Sequence, residues 1–123
     1  MVLLIVYSSG LIIERLANLV SDTLTDTSIY KAESFDEAAF ICEGIKPDIV
    51  LLDIALPENK SIDLFNMIKR GNQKTGFIIL SSSMDVVTQW QLKQLGADFI
   101  LDKYHDFEKI PATINSIVAK RNS

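Results

Sequence analysis

The chain begins with an unbroken aliphatic run, Val2-Leu3-Leu4-Ile5-Val6, and that run restricts the fold more than any other feature. A strand with one face in water alternates apolar and polar residues. An uninterrupted run needs cover on both faces, as in a parallel sheet flanked by helices. Ile49-Val50-Leu51-Leu52 and Phe77-Ile78-Ile79-Leu80 repeat the pattern, and Ser28–Ala32 and Phe99-Ile100-Leu101 are shorter strand candidates.

Helical signals fill the intervals. After Gly10, apolar residues at 12, 13, 16, 19 and 20 make a stripe that ends near Asp22. Ser34 with Glu37 has the spacing of a capping box, and Gly44 closes that helix before Pro47. A loop holding Pro57 and Asn59 leads to a helix near Ser61–Arg70, stopped by Gly71. Another runs from about Met84 to Leu95 and stops at Gly96; a last one reaches about Lys120, with Pro111 in its first turn. Five strand-then-helix units with short connections predict a single doubly wound (βα)5 α/β domain over residues 1–123, a parallel sheet between two helical layers.

Composition narrows the class. With 48% apolar and 23% charged residues the chain has the balance of a soluble domain, and its apolar runs are too short to span a bilayer. Met1 leads straight into the first run with no basic segment or cleavage site, so no secretory signal is expected. The single cysteine, Cys42, has no intrachain partner and reads as a reduced thiol, which suits a cytoplasmic protein. A net charge of −4 argues against nucleic-acid binding. The basic clusters, Lys69-Arg70 with Lys74 and Lys120-Arg121, fall near helix C-termini, where they complement the dipole.

In open α/β sheets ligands bind beyond the carboxyl ends of the strands. Those positions hold Tyr7-Ser8, Asp53, Ser81 and Lys103: a carboxylate, a hydroxyl and an ammonium from distant segments. Asp53 with Leu56-Pro57, Ser81, and Gly96-Ala97 followed by Lys103 together resemble the response-regulator receiver domains of two-component signalling, over the whole chain. The resemblance implies a flavodoxin-like fold with strand order 2-1-3-4-5. It also implies roles. Asp53 stands at the phosphoacceptor position and would take a phosphoryl group from a kinase histidine. Lys103 would pair with the phosphoryl oxygens, and Ser81 would hydrogen-bond them.

The departures from the family pattern are informative. Receivers carry two adjacent acidic residues after the first strand, which hold Mg²⁺ together with the phosphoacceptor and a backbone carbonyl two residues on, Ala55 in this chain. Here Tyr7 and Ser8 stand in place of the acidic pair, and no Asp or Glu precedes Glu14. One carboxylate and one ammonium leave the pocket neutral, whereas a hard divalent cation needs it negative. Asp53 and the Ala55 carbonyl form a weak or absent metal site, no other cofactor is expected, and a direct Asp53–Lys103 ion pair is expected to close the pocket. Metal assistance is worth several kcal/mol, so phosphorylation should slow roughly a thousandfold. Ser61 replaces a common glycine, Ile100 stands at the position of the Tyr/Phe switch beside Phe99, and Tyr104 replaces a frequent proline.

Other candidates carry less. His105 is a lone loop histidine, and Ser81-Ser82-Ser83 has no partnering base or nucleophile elbow. There is no Gly-x-Gly-x-x-Gly or Walker-type loop. On the fourth helix Met84, Thr88, Leu92 and Leu95 share a face suited to the sheet, while Val86 and Trp90 fall opposite. Two readings are open: an outward Val86–Trp90 patch that binds protein, or a rotated helix that buries Trp90.

Three functions remain. The first is a non-enzymatic receiver acting by protein binding, with a kinase, an output domain or a second copy on the helix-4/strand-5/helix-5 face, and with no nucleic-acid or membrane contact. The second is a working phosphoacceptor that transfers a phosphoryl group from a histidine kinase onto Asp53. The third is an unrelated flavodoxin-like domain. Arg121-Asn122-Ser123 is where a linker to an output domain would begin.

Overall fold

The computed structural model describes residues 1–82 and 85–121; Ser83, Met84, Asn122 and Ser123 lie outside them. The strands are β1 (Val2–Val6), β2 (Ser28–Ala32), β3 (Ile49–Asp53), β4 (Gly76–Ser81) and β5 (Phe99–Asp102). The helices are α1 (Gly10–Thr23), α2 (Phe35–Gly44), α3 (Lys60–Gly71), α4 (Val86–Leu95) and α5 (Ile110–Arg121). All strand pairs are parallel, and the sheet order is β2-β1-β3-β4-β5. This is the doubly wound, flavodoxin-like arrangement that the aliphatic runs and the motif resemblance implied.

The sheet explains the unbroken runs. Every residue of β3 is buried, because β1 and β4 flank its edges and helices cover both faces. Leu4, Val6, Val50, Leu52, Phe77, Ile79 and Ile100 pack toward α2, α3 and Leu92 of α4. Their alternate neighbours Leu3, Ile5, Ile49, Leu51, Ile78, Leu80 and Leu101 pack toward α1 and α5. Each large aliphatic side chain buried this way stabilises the fold by about 1.5–3 kcal/mol relative to exposure.

Local signals set the helix ends. Ser34 Oγ accepts the Glu37 N–H at 3.2 Å, as its cap role requires. The return bond differs from a standard capping box: Glu37 Oε1 accepts from Glu33 N–H at 3.1 Å, one residue before the cap. Asp85 caps α4 by accepting the Thr88 N–H at 2.8 Å. Gly96 ends it with φ 114°, a conformation that a side chain would strain. Pro111 is the second residue of α5, within the first turn.

Helix α4 is not rotated so as to bury Trp90. Leu92 is its buried residue, whereas Val86 is 81% and Trp90 62% exposed, so the Val86–Trp90 face points outward. Leu95 departs from expectation: it is 46% exposed and lines the groove between α3 and α4 with Ile54 and Ile62. A helix resting on the sheet through one buried residue leaves its last turn free to face that groove. No helix among the described residues is long and apolar enough to cross a membrane.

Candidate functional site

Register alone brings the rim residues together. Asp53 pairs with Leu80, so Ser81 stands one step beyond it on the neighbouring strand. Ser81 in turn pairs with Asp102, and Lys103 follows, donating its N–H to the Ser81 carbonyl at 3.0 Å. On the other side β1 pairs with β3 as far as Val6–Leu52, which puts Tyr7 beside the Asp53 end of β3.

The Lys103 ammonium lies 3.1 Å from Asp53 Oδ1. Both groups are shielded, with the Asp53 side chain 2% and the Lys103 side chain 10% exposed. The same carboxylate oxygen accepts the Ala55 N–H at 3.0 Å. Ser81 is buried at 2% exposure on the same rim. Tyr7 enters the site too: the Lys103 ammonium stands 5.3 Å from its ring centroid, within cation–π range. The sequence marked Tyr7 only as a replaced acid, and nothing in its pattern signalled this contact.

The electrostatics follow from that stack. Burial disfavours the Lys103 charge, but the hydrogen bond and charge of Asp53 outweigh it, and the Lys103 pKa is raised. The Tyr7 phenol is also raised, first by burial and then by the Asp53 charge, against the opposing effect of Lys103. Both directions favour the protonated forms, an ammonium and a neutral phenol, held around one carboxylate.

Ser8 is exposed, and Ser9 caps α1 by accepting the Ile12 N–H at 3.4 Å. A carboxylate does stand near this rim. Glu33, just after β2, lies against Gly10 at the start of α1: a Cβ there would meet Glu33 Oε1 at 2.7 Å. Its charge complements the N-terminus of a helix with no acidic residue in its own first turn. Among the described residues no three Asp, Glu, His or Cys side chains group closely enough to hold a metal ion. Asp53 Oδ1 is shared by the Lys103 ammonium and the Ala55 N–H, and Ala55 itself is exposed.

The remaining candidates lie elsewhere. Ile100 is buried at 8% exposure within the core, while Phe99 faces outward. His105 is exposed, with Nδ1 3.1 Å from Asp102 Oδ1 in the β5–α5 loop. Asp102 accepts the N–H groups of both Tyr104 and His105, which lowers its pKa. Cys42 is half-buried on α2, and burial raises its thiol pKa. Ser61, seen in sequence only as a replaced glycine, is 1% exposed and makes two bonds to the Asp53 loop.

Comparison with solved structures finds the same fold. The Francisella response regulator 1452 receiver domain superposes with a TM-score of 0.85 at 20% identity, covering 99% of this chain and 98% of that one. The signal receiver domain of the putative Luxo repressor protein of Vibrio parahaemolyticus gives 0.86 at 23% identity, covering 97% and 90%. The response regulator domain of Thermotoga maritima CheB gives 0.80 at 21% identity, covering 100% and 97%. Compared with curated protein sequences, the chain has no significant match. Residues 3–115 match the response regulator receiver domain family. With the strand order in place, this match identifies the chain as a member of that family.

Proposed function

We propose that this receiver domain works chiefly by protein binding, and that Asp53 accepts a phosphoryl group slowly or not at all. The observation carrying the reading is the Asp53–Lys103 contact of 3.1 Å between a carboxylate and an ammonium that are both shielded from water. A buried, charge-matched carboxylate is a hindered nucleophile, and the neutral stack of Tyr7, Lys103 and Asp53 offers little to a divalent cation. Magnesium is therefore weak or absent in the working state. Asp53, Ser81 and Lys103 retain their places as acceptor, hydroxyl and cation, but serve to hold one closed arrangement. Ile100 adds to this: a buried aliphatic residue has no polar tip with which to report a modified Ser81.

Binding falls to the outward face of α4 and its surroundings. Val86, Val87, Trp90 and Leu95 leave large apolar area in water, with Trp90 and Leu95 lining the groove beside α3. Such a face fits a protein partner, whether a kinase, an output domain or a second receiver, with Trp90 as its anchor.

Treatment with acetyl phosphate and Mg²⁺, followed by intact mass, tests the reading. The expected result is an unchanged mass. A stoichiometric gain of about 80 Da that Asp53→Asn abolishes would establish the working phosphoacceptor instead.

A further inference from the structure

The backbone that follows Asp53 has each of its first three N–H groups assigned. Ile54 donates to the Leu80 carbonyl at 3.0 Å and Ala55 to Asp53 Oδ1 at 3.0 Å. Leu56 donates to Ser61 Oγ at 3.3 Å. The Ser61 hydroxyl donates in turn to the Asp53 carbonyl at 2.6 Å. That carbonyl lies just past the end of the β1–β3 ladder, which stops at Leu52, and Tyr7 N–H is engaged with Ala32 instead. One hydroxyl thus ties both ends of the Asp53–Leu56 turn, using its donor and its acceptor together.

The turn needs such a tie. It runs into Glu58 and Asn59, consecutive non-glycine residues with φ of 60° and 57°, a conformation that persists only where the surroundings impose it. Asn59 precedes α3 without a side-chain capping bond, so it does not fix the entry to the helix. Ser61, in the first turn of α3, connects that helix to the end of β3.

We propose that Ser61 is a positioning residue, a buried latch that fixes the Asp53–Leu56 turn and thereby holds the Asp53 carboxylate on Lys103. The link runs through both ends of the turn: Ser61 holds the Asp53 carbonyl and the Leu56 N–H, and between them the Ala55 N–H shares Asp53 Oδ1 with the Lys103 ammonium. Glycine at this position supplies neither bond, so the turn that carries the Ala55 N–H to Asp53 Oδ1 loses both of its side-chain ties. The regulatory meaning of the latch rests on reading Asp53 as a held acceptor; the latch itself does not.

The test compares the unaltered chain with Ser61→Ala, Ser61→Gly and Ser61→Thr by amide hydrogen exchange and by the Asp53 Oδ1–Lys103 Nζ distance in a crystal structure of each. In Ser61→Ala and Ser61→Gly, Ala55 and Leu56 should exchange about five- to tenfold faster, the effect of one or two lost hydrogen bonds. The Ile79 amide in β4 should keep its rate, and the Asp53–Lys103 distance should lengthen from 3.1 Å. Ser61→Thr, which keeps the hydroxyl, should restore both readouts toward the unaltered chain. Unchanged Ala55 and Leu56 amides, an unchanged Asp53–Lys103 distance, or a uniform acceleration across the sheet would each overturn the proposal. Neither readout involves a phosphoryl donor, so a failure here is separate from a failure of the acetyl phosphate experiment.

Discussion

Replacing Lys103 by Met keeps the packing stem and removes the ammonium, which strands a carboxylate that is 2% exposed. Breaking a buried ion pair from one side costs about 3–5 kcal/mol. A carboxylate can escape that cost by binding a proton. For an ordinary carboxyl this takes about 4 kcal/mol at pH 7 and about 1.5 kcal/mol at pH 5, at about 1.4 kcal/mol per pH unit above about 3.9. Lys103 sits at a rim with 10% of its side chain in water, so the lower end applies at pH 7. The expected loss is about 3 kcal/mol at pH 7, shrinking to about 1.5 kcal/mol at pH 5. Urea unfolding followed by far-UV circular dichroism reads it directly. With a slope of about 1.5 kcal/mol per molar, the midpoint should fall by about 2 M at pH 7 and by about half that at pH 5. Adding Asp53→Asn to Lys103→Met should recover most of the loss, since the uncompensated charge is then gone. A loss under about 1 kcal/mol at pH 7, or one that stays the same at pH 5, would refute the claim that this pair is buried and mutually dependent.

The raised pKa values of Lys103 and Tyr7 act in one direction. Groups that hold protons more tightly when folded contribute fully below about pH 10 and lose that contribution as pH rises through their folded values. The thermal midpoint of the unaltered chain should therefore fall more steeply above about pH 10 than that of Lys103→Met, and equal slopes would count against it. Gly96→Ala places a side chain at φ 114° with only ordinary contacts to Phe65 and Lys69 at 3.6 Å, so its cost is backbone strain. That is about 1–2 kcal/mol, a drop of about 4–8 °C in melting temperature for a chain of this size; no drop would show that the left-handed turn is absent. Trp90→Ser with Val86→Ser should change the stability by about 0.5 kcal/mol or less, because both side chains are exposed. The same variant should lose any self-association measured by sedimentation or binding to a cognate kinase, and retention of both would move the interface elsewhere.

Much of the fold is legible in the residues. The aliphatic runs at Val2–Val6 and Ile49–Leu52 demand burial on both faces, and a parallel sheet is the economical way to provide it. Glycine and proline punctuate the helices where the structure ends or begins them, as at Gly96 and Pro111. Asp53 and Lys103 are separated by fifty positions in the chain, yet both follow strand patterns, so topology alone brings them to one rim. What depends on side-chain direction is not legible in this way. Tyr7 reads as a missing acid, and only the fold turns its ring toward the Lys103 ammonium. Ser61 reads as a missing glycine, and its two bonds depend on the path of a turn that includes two left-handed residues. The exposure of Leu95 likewise depends on how far α4 tilts over the groove beside α3, which a helical wheel does not contain.

We propose that Asp53 is disarmed because the acidic partners of a metal ion are replaced by Tyr7 and Ser8, leaving Lys103 to hold it. The most direct test is restoration, by the double change Tyr7→Asp and Ser8→Asp. Both the double variant and the unaltered chain are incubated with acetyl phosphate and Mg²⁺, and adduct formation is followed over time by intact mass. The double variant should gain about 80 Da at a rate up to about a thousandfold above the unaltered chain, and Asp53→Asn should abolish the gain. Equal rates in the two chains would contradict the claim and return Asp53 to the ranks of ordinary phosphoacceptors.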